Sequence, residues 1–325
     1  MGEEDRLLRW LRSKLDAPLI GDDAAVLPAG GPFAVTVDSQ IAGVHFTPDL
    51  DPAHLARRLL AVNLSDLAAM GAIPAYAFLA LSTPAGFDHR RFFRALLAAC
   101  RRVSLRLAGG DLAGSPQIVA TLTLLGTKPP RSRWLRRAGA LPGHDLWLGG
   151  TVGESAAGRL LIERGGAIDR SADRPQSLRT AARRAVRRHI LPTPQIDLGL
   201  WLGQQRQGAA LDVSDGVARD LHRLCRESGV GAEICAEDLP FADRFHRLCA
   251  TIDADPLALG GGEDYVLLFT LPPGITPQLA GCRRIGRITR TKKIVLRRGG
   301  AGVPLPEMGW DHLEMIQEKR KAPAR

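Results

Sequence analysis

The sequence predicts a mixed α/β protein of two domains, built as α+β layers rather than as a doubly wound sheet. Three observations carry this reading. Strand-like apolar runs and helix-periodic runs are interspersed without strict alternation. A basic, proline-bearing passage at 128–143 interrupts the chain, and the pattern resumes beyond it with different residues. At 325 residues the chain is long for one core and comfortable for two. The expected division is 1–138, then 139–315, with a disordered tail at 316–325.

The elements follow in order. Residues 1–16 read as an amphipathic helix with Leu7, Leu8, Leu11 and Leu15 on one face. A glycine-acid turn at 21–23 precedes a strand near 33–38 and a loop to about residue 50. Asp51, Pro52 and Gly71 frame a helix as N-cap, first helical residue and stop. A strand at 74–83 and a helix near 88–104 come next. The glycine pair Gly109-Gly110 with Asp111 reads as a turn before a strand at 117–126. Beyond the connector stand a strand in "DLWLGG", a helix near 154–164 and an arginine-rich helical stretch to 189. "LPTPQIDLG" opens another helix. "AALDVSDGVARDLHRLCRES" passes from strand through an acidic turn into helix, "GGGEDY" is a glycine-rich turn entering a strand, and short strands fill 283–297.

The bulk composition excludes several classes. No apolar run approaches the roughly 20 residues that span a bilayer, and "MGEEDRLLRWLRSKLD" lacks the apolar core of a leader, so neither membrane nor export is expected. The five cysteines are scattered without a Cys-x-x-Cys pair, which argues against a disulfide framework and a zinc site and favours a reducing cytoplasm. The net charge of +10 invites a nucleic-acid reading, but only six of the 44 basic residues are lysine. "RTAARRAVRRH" carries no interleaved aromatic platform and reads as a solvated helix face, so no nucleic-acid partner is expected.

The distinctive feature is where the carboxylates fall. Asp22 and Asp23 follow Gly21, Asp38 ends a strand, and Asp66 lies near a helix end. Asp111 follows two glycines, Asp212 and Asp215 bracket Ser214, and Glu263 and Asp264 follow three glycines. Converging carboxylates repel unless cations hold them, and hard oxygen ligands select Mg²⁺ or Ca²⁺. Any single Gly-Asp turn is more often ordinary turn or cap chemistry, and Asp215 before Gly216 reads as an N-cap. "AGGD" and "GGGED" match neither a Walker A loop nor the dinucleotide fingerprint. "VSDG" is not a nucleophile elbow, and a lone His45 after a glycine turn is more often structural than a base.

In combination, "IGDDAAVL" (20–27), "TVDSQIAGVHF" (36–46), "LAVNLSDLAAMGAIP" (60–74), "GGD" (109–111), "RRAGALPGHDLWLGGTVGESAAG" (136–158), "LPTPQ" (191–195), "LDVSDG" (211–216), "GGGEDY" (260–265) and "GWDH" (309–312) resemble the thiamine-monophosphate kinase family. That family belongs with aminoimidazole ribonucleotide synthetase in one superfamily. The motifs occur in the family's order over nearly the whole chain, and "NLSDLAAMGA" is the most specific. The resemblance implies a two-domain synthetase-like fold whose N-terminal halves pair in a homodimer to form a barrel-like sheet. It implies ATP and thiamine phosphate as substrates, several Mg²⁺ ions, and thiamine diphosphate and ADP as products. By the same resemblance the metal ligands are Asp22, Thr36, Asp38, Asp66, Asp111, Asp212 and Asp215, with Asp38, Asp66 and Asp111 the most critical. Gly110, Asp111, Arg137 and Ser214 contact ATP, and His45, Glu263 and Trp310 contact thiamine phosphate. No residue is implied as a general base. The alternatives are another ATP-dependent synthetase of the superfamily, or a weakly active nucleotide-binding homologue.

The chain departs from the family pattern in places. Val37 stands where a threonine is frequent, removing one possible oxygen ligand. Leu112 and Ala113 replace threonines after "GGD", Glu154 replaces an aspartate, and Val266 replaces a glutamate.

Overall fold

A computed structural model describes residues 13–14, 32–164, 176–249 and 254–310. The turn at 21–23 with Asp22 and Asp23, residues 311–312 of "GWDH" and the tail at 316–325 lie outside the described residues. So does the helix read at 1–16, apart from Ser13 and Lys14. The chain forms two compact units, Met1–Leu135 with Ile190–Arg206 and Arg136–His189 with Gln207–Arg325.

The first unit is a four-stranded sheet under helices. Its strands are β1 (Phe33–Ile41), β2 (Ile73–Thr83), β3 (Arg106–Gly114) and β4 (Val119–Thr127), in the order β1-β4-β2-β3. The β2/β3 pair is parallel and the other pairs are antiparallel. Helix α1 (Pro52–Ala69) begins as the sequence predicts, with the Asp51 carboxylate accepting from the Ala53 amide at 2.8 Å and proline in the first turn. It stops at Met70, and Gly71 turns the chain with φ +66°. Helix α2 (His89–Arg102) buries Phe92 and Leu96. These side chains form one core with Leu55, Leu59 and Leu67 of α1 and Leu122 and Leu124 of β4.

In this unit the glycine pair is a correction to the sequence reading. Gly109, Gly110 and Asp111 are not a turn but lie inside β3. A Cβ on Gly110 would stand 1.9 Å from the Leu79 carbonyl oxygen of β2, so the close approach of the neighbouring strand demands glycine.

The second unit carries a seven-stranded mixed sheet. It comprises β5 (Asp145–Leu148), β6 (Ala210–Asp212), β7 (Gly231–Cys235), β8 (Leu267–Leu271), β9 (Arg283–Thr289), β10 (Ile294–Arg298) and β11 (Ala301–Pro304), in the order β11-β10-β7-β9-β5-β8-β6. Only β10/β7 is parallel. The helices in chain order are α3 (Glu154–Glu163), α4 (Gln176–Ile190), α5 (Ile196–Gln204, which belongs to the first unit), α6 (Val217–Ser228), α7 (Phe245–Leu248) and α8 (Ala254–Gly260). Val217, Leu221 and Leu224 of α6 pack with Leu146, Leu148, Leu268 and Ile285 of the sheet. Among the described residues no helix is long and apolar enough to cross a membrane.

Candidate functional site

In the first unit a polar ladder joins β1 to α1. Strand alternation sends Thr36, Asp38 and Gln40 toward α1, while Val35 and Val37 stand 60% and 58% exposed on the other face. Helix α1 answers with polar groups buried in its packed face: Arg58, Asn63 and Ser65 are at most 1% exposed. Each of these side chains needs a partner at such depth. Thr36 donates to the Asp66 carboxylate, the Asp38 amide donates to Asn63 Oδ1 (3.1 Å), and Arg58 Nε donates to Gln40 Oε1 (2.7 Å). Asn63 Nδ2 in turn donates to the Leu59 carbonyl at 2.8 Å. Asn63 was not singled out in the sequence, although "NLSD" set three polar residues into an apolar helix.

His45 is half-buried after the strand, and its Nδ1 accepts from the Ile41 amide at 3.1 Å. That bond assigns the proton of the neutral ring to Nε2. Val37 lies on the opposite face of β1 from Asp38, so the family's threonine at this position would also point away from that carboxylate. Asp111 pairs in register with exposed Ala80, whereas Leu112 packs against the core. Asp111 therefore projects from the uncovered face, opposite to Thr36 and Asp38. The structure joins Thr36 to Asp66, sets Asp38 on the same face of β1 as Thr36, and places Asp111 on the opposite face of the sheet.

In the second unit three turns are locked by backbone hydrogen bonds. The Glu263 amide donates to the Ser214 carbonyl at 2.7 Å, Tyr265 to Val213 at 2.8 Å, and Trp310 to Asp215 at 3.0 Å. Contact this close leaves no room for side chains at Gly262 and Gly309, whose Cβ atoms would meet the Ser214 and Asp215 carbonyls at 2.8 and 2.5 Å. Ser214, Asp215, Glu263 and Trp310, far apart in sequence, thus share one corner. The Arg159 guanidinium sits 5.5 Å over the Trp310 ring. Arg137 is exposed, and its carbonyl accepts from Ser228 Oγ at 2.9 Å, outside that hydrogen-bonded set.

Asp215 does not cap α6. Gly216 holds the cap position without a side-chain bond, and Asp215 instead takes Arg223 Nη1 at 2.6 Å. The same guanidinium reaches Asp220 at 3.0 Å, and Asp220 accepts the Asp215 amide at 3.1 Å. Burial, with Asp212 and Asp215 close by, pushes the Asp220 carboxyl up to about 7. Asp220 and Arg223 are neighbours of Asp215 that the sequence reading missed, since both lie within an ordinary amphipathic helix.

Glu154 and Asp264 complete the corner. Asp264 is fully buried, and its carboxylate accepts the amides of Gly153 (2.7 Å) and Ser155 (3.3 Å) at the start of α3. Burial pushes its carboxyl up to about 7. Glu154 accepts from Arg184 Nε at 2.5 Å and from Thr151 Oγ1 at 3.1 Å. Val266, fully buried, belongs to the hydrophobic core. A separate open groove of about 620 Å³ on β7, β9 and β10 is lined by Arg283, Arg284, Arg287 and Arg297. These arginines pair with Asp238, Asp145 and Glu233.

The donor chemistry suits Mg²⁺, since the predicted ligands offer only carboxylate and hydroxyl oxygens. Among the described residues no three histidine, cysteine, aspartate or glutamate side chains converge to hold a metal ion. Magnesium is commonly held by one or two carboxylates, with phosphates and water filling its shell, so the carboxylates of Asp38, Asp66, Asp212 and Asp215 fit it in chemistry.

Comparison with known proteins places this architecture. Residues 21–127 match the family model "AIR synthase related protein, N-terminal domain". The solved structure of AaThiL complexed with AMPPCP and TMP superposes with a TM-score of 0.76 at 29% identity, over 96% of this chain and 99% of that one. Thiamine-monophosphate kinase from Stenotrophomonas maltophilia gives 0.75 at 32% identity, over 91% and 96%. The hydrogenase maturation protein HypE in complex with ATP, at 19% identity and a TM-score of 0.74, shares the fold. The fold and its acidic turns thus define an AIR synthase-like protein. Thiamine-monophosphate kinase of Salmonella typhimurium is 40% identical over 80% of this chain and 78% of its own length, and that of Aquifex aeolicus is 29% identical over 94% and 96%. The chain belongs to the thiamine-monophosphate kinase family.

Proposed function

We propose that the chain transfers the γ-phosphoryl group of ATP to thiamine phosphate, giving thiamine diphosphate and ADP. The observation that carries this reading is the locked corner of Ser214, Asp215, Glu263 and Trp310 in a chain of this family. An oxygen of thiamine phosphate attacks the γ-phosphorus in line while the bond to the β-phosphate oxygen breaks. That oxygen is already ionised at neutral pH, so the transfer needs no general base, in keeping with a His45 whose Nδ1 is committed to backbone.

The protein's part is alignment and charge. His45 Nε2–H donates to the substrate phosphate, Glu263 faces the cationic part of thiamine, and Trp310 stacks on a ring. Gly110, Asp111, Arg137 and Ser214 take ATP, with the Arg137 guanidinium on the phosphates. Thr36, Asp38, Asp66, Asp111, Asp212 and Asp215 hold Mg²⁺, and Asp22, outside the described residues, belongs to the same set. When bound, Mg²⁺ neutralises the phosphates that must approach one another. Residues 1–138 and 139–315 remain the proposed functional domains. The exposed Val35 and Val37 support self-association of β1 faces in a homodimer.

The test is ADP release from ATP with and without thiamine phosphate. Release that requires thiamine phosphate, with thiamine diphosphate accumulating in equal amount, is the expected result. Release indifferent to thiamine phosphate would point to another ATP-dependent member of the superfamily. Binding without turnover would leave a nucleotide-binding homologue.

A further inference from the structure

Helix α4 reads in sequence as a solvated, arginine-rich helix, yet it presses a basic edge onto the acidic corner. Ala181, Ala182, Ala185 and His189 are buried on one side. The approach is backbone-close, because a Cβ on Gly158 of α3 would lie 2.1 Å from the Ala185 carbonyl oxygen. From that edge Arg184 takes Glu154 and the Asp243 carbonyl (2.6 Å), and Arg188 Nη2 donates to the Asp264 carbonyl at 2.9 Å. His189 Nδ1 lies 3.2 Å from Glu263 Oε2 and 3.2 Å from Ser155 Oγ. An ionised carboxylate only accepts, so Nδ1 carries a proton and donates to Glu263.

Glu263 needs holding. It adopts φ +60° and Tyr265 adopts φ +50°, both in the left-handed region that non-glycine residues rarely occupy. Between them Asp264 anchors the backbone to the start of α3. Among the described residues the Glu263 carboxylate pairs with His189, which is 5% exposed.

We propose that His189 is a positioning residue for thiamine-phosphate binding. It holds one oxygen of Glu263 so that the carboxylate presents its other oxygen to the cationic substrate. The inference rests on reading Glu263 as a contact to that substrate.

Steady-state kinetics of His189→Ala, His189→Asn, Glu263→Gln and the double variant H189A/E263Q test it. His189→Ala should raise KM for thiamine phosphate about tenfold, the worth of one hydrogen bond to a charged group. KM for ATP and kcat should stay within about twofold of wild type. Asparagine can offer an N–H where Nδ1 stood, so His189→Asn should recover most of the loss. If His189 acts through Glu263, the double variant should be no worse than Glu263→Gln alone. Equal damage from alanine and asparagine, equal rises in both KM values, or additive losses in the double variant would overturn the assignment. An unchanged KM in Glu263→Gln would overturn the Glu263 reading and this inference with it. Wild-type protein without thiamine-phosphate-dependent turnover would instead overturn the functional reading, and the wild-type control reports that separately.

Discussion

Asp38 and Gly110 stand on one transverse row of the first sheet, at its two edges. The row runs from Asp38 to Leu122 to Leu79 to Gly110. Three strand spacings of about 4.8 Å set the ends roughly 14 Å apart, and Asp111, one residue on, faces the opposite side. One cation cannot reach both Asp38 and Asp111 over that distance. Asp38→Asn and Asp111→Asn should therefore each lose a different ion. Counting Mn²⁺ bound with a non-hydrolysable ATP analogue should show one ion fewer in each variant and two fewer in the double variant. A double variant matching either single one would mean a shared ion.

Gly110 is fixed by its neighbour rather than by a turn. Gly110→Ala forces a methyl group onto the Leu79 carbonyl and should cost more than about 3 kcal/mol, at the upper end for overpacking. Gly114, on the same strand, has nothing within 4 Å of its would-be Cβ. Gly114→Ala should shift the urea midpoint little, and similar losses in both variants would remove the explanation.

Asp66 accepts from Thr36, and an asparagine carbonyl can still do so. Asp66→Asn should retain the fold by circular dichroism. Turnover should fall at least about 100-fold, since charge stabilisation by a bound metal is worth several kcal/mol. Near-normal turnover would break the assignment of Asp66 as a metal ligand.

Val37 separates the two faces of β1. Val37→Thr restores the residue frequent in the family but on the face away from Asp38, so the Mg²⁺ concentration for half-maximal rate should not move. Val37→Asp places a charge on the exposed apolar face and should shift sedimentation toward a monomer. A dimer that persists in Val37→Asp would place the interface elsewhere.

What could be read from sequence was what local chemistry decides. Asp51, Pro52 and Gly71 bracket α1 because capping, φ restriction and a left-handed stop act within a few residues. Gly109-Gly110 misled because glycine signals both turns and close strand approach, and only the position of Leu79 distinguishes them. His189, and the anchoring role of Asp264, were hidden for a related reason. A charged residue shows its partner only when the chain folds back, and Glu263 and His189 are brought together across 74 positions of sequence. The alanines at 181, 182 and 185 were the available sign that α4 buries a face, but the surrounding arginines outweighed them. Val37 was read as a lost ligand because the family pattern has a threonine there beside Asp38, whereas strand alternation sends it away.

Asp264 links the architecture of the corner to pH. Burial raises its carboxyl from the ordinary 3.8 to about 7, outweighing the amides of Gly153 and Ser155 and the charge of Arg188. A raised folded-state value means that the folded protein binds the proton more tightly than the unfolded chain does. This contribution to stability is complete below about pH 4 and is lost as pH rises through about 7. Asp264→Asn mimics the protonated form and does not titrate, so it should remove this slope. Urea unfolding at intervals from pH 4 to 8 should show wild type losing stability relative to Asp264→Asn, by an amount on the order of a few kcal/mol. Parallel curves would show that the carboxyl stays ionised throughout. In that case the two amides and Arg188, rather than burial, would set its charge.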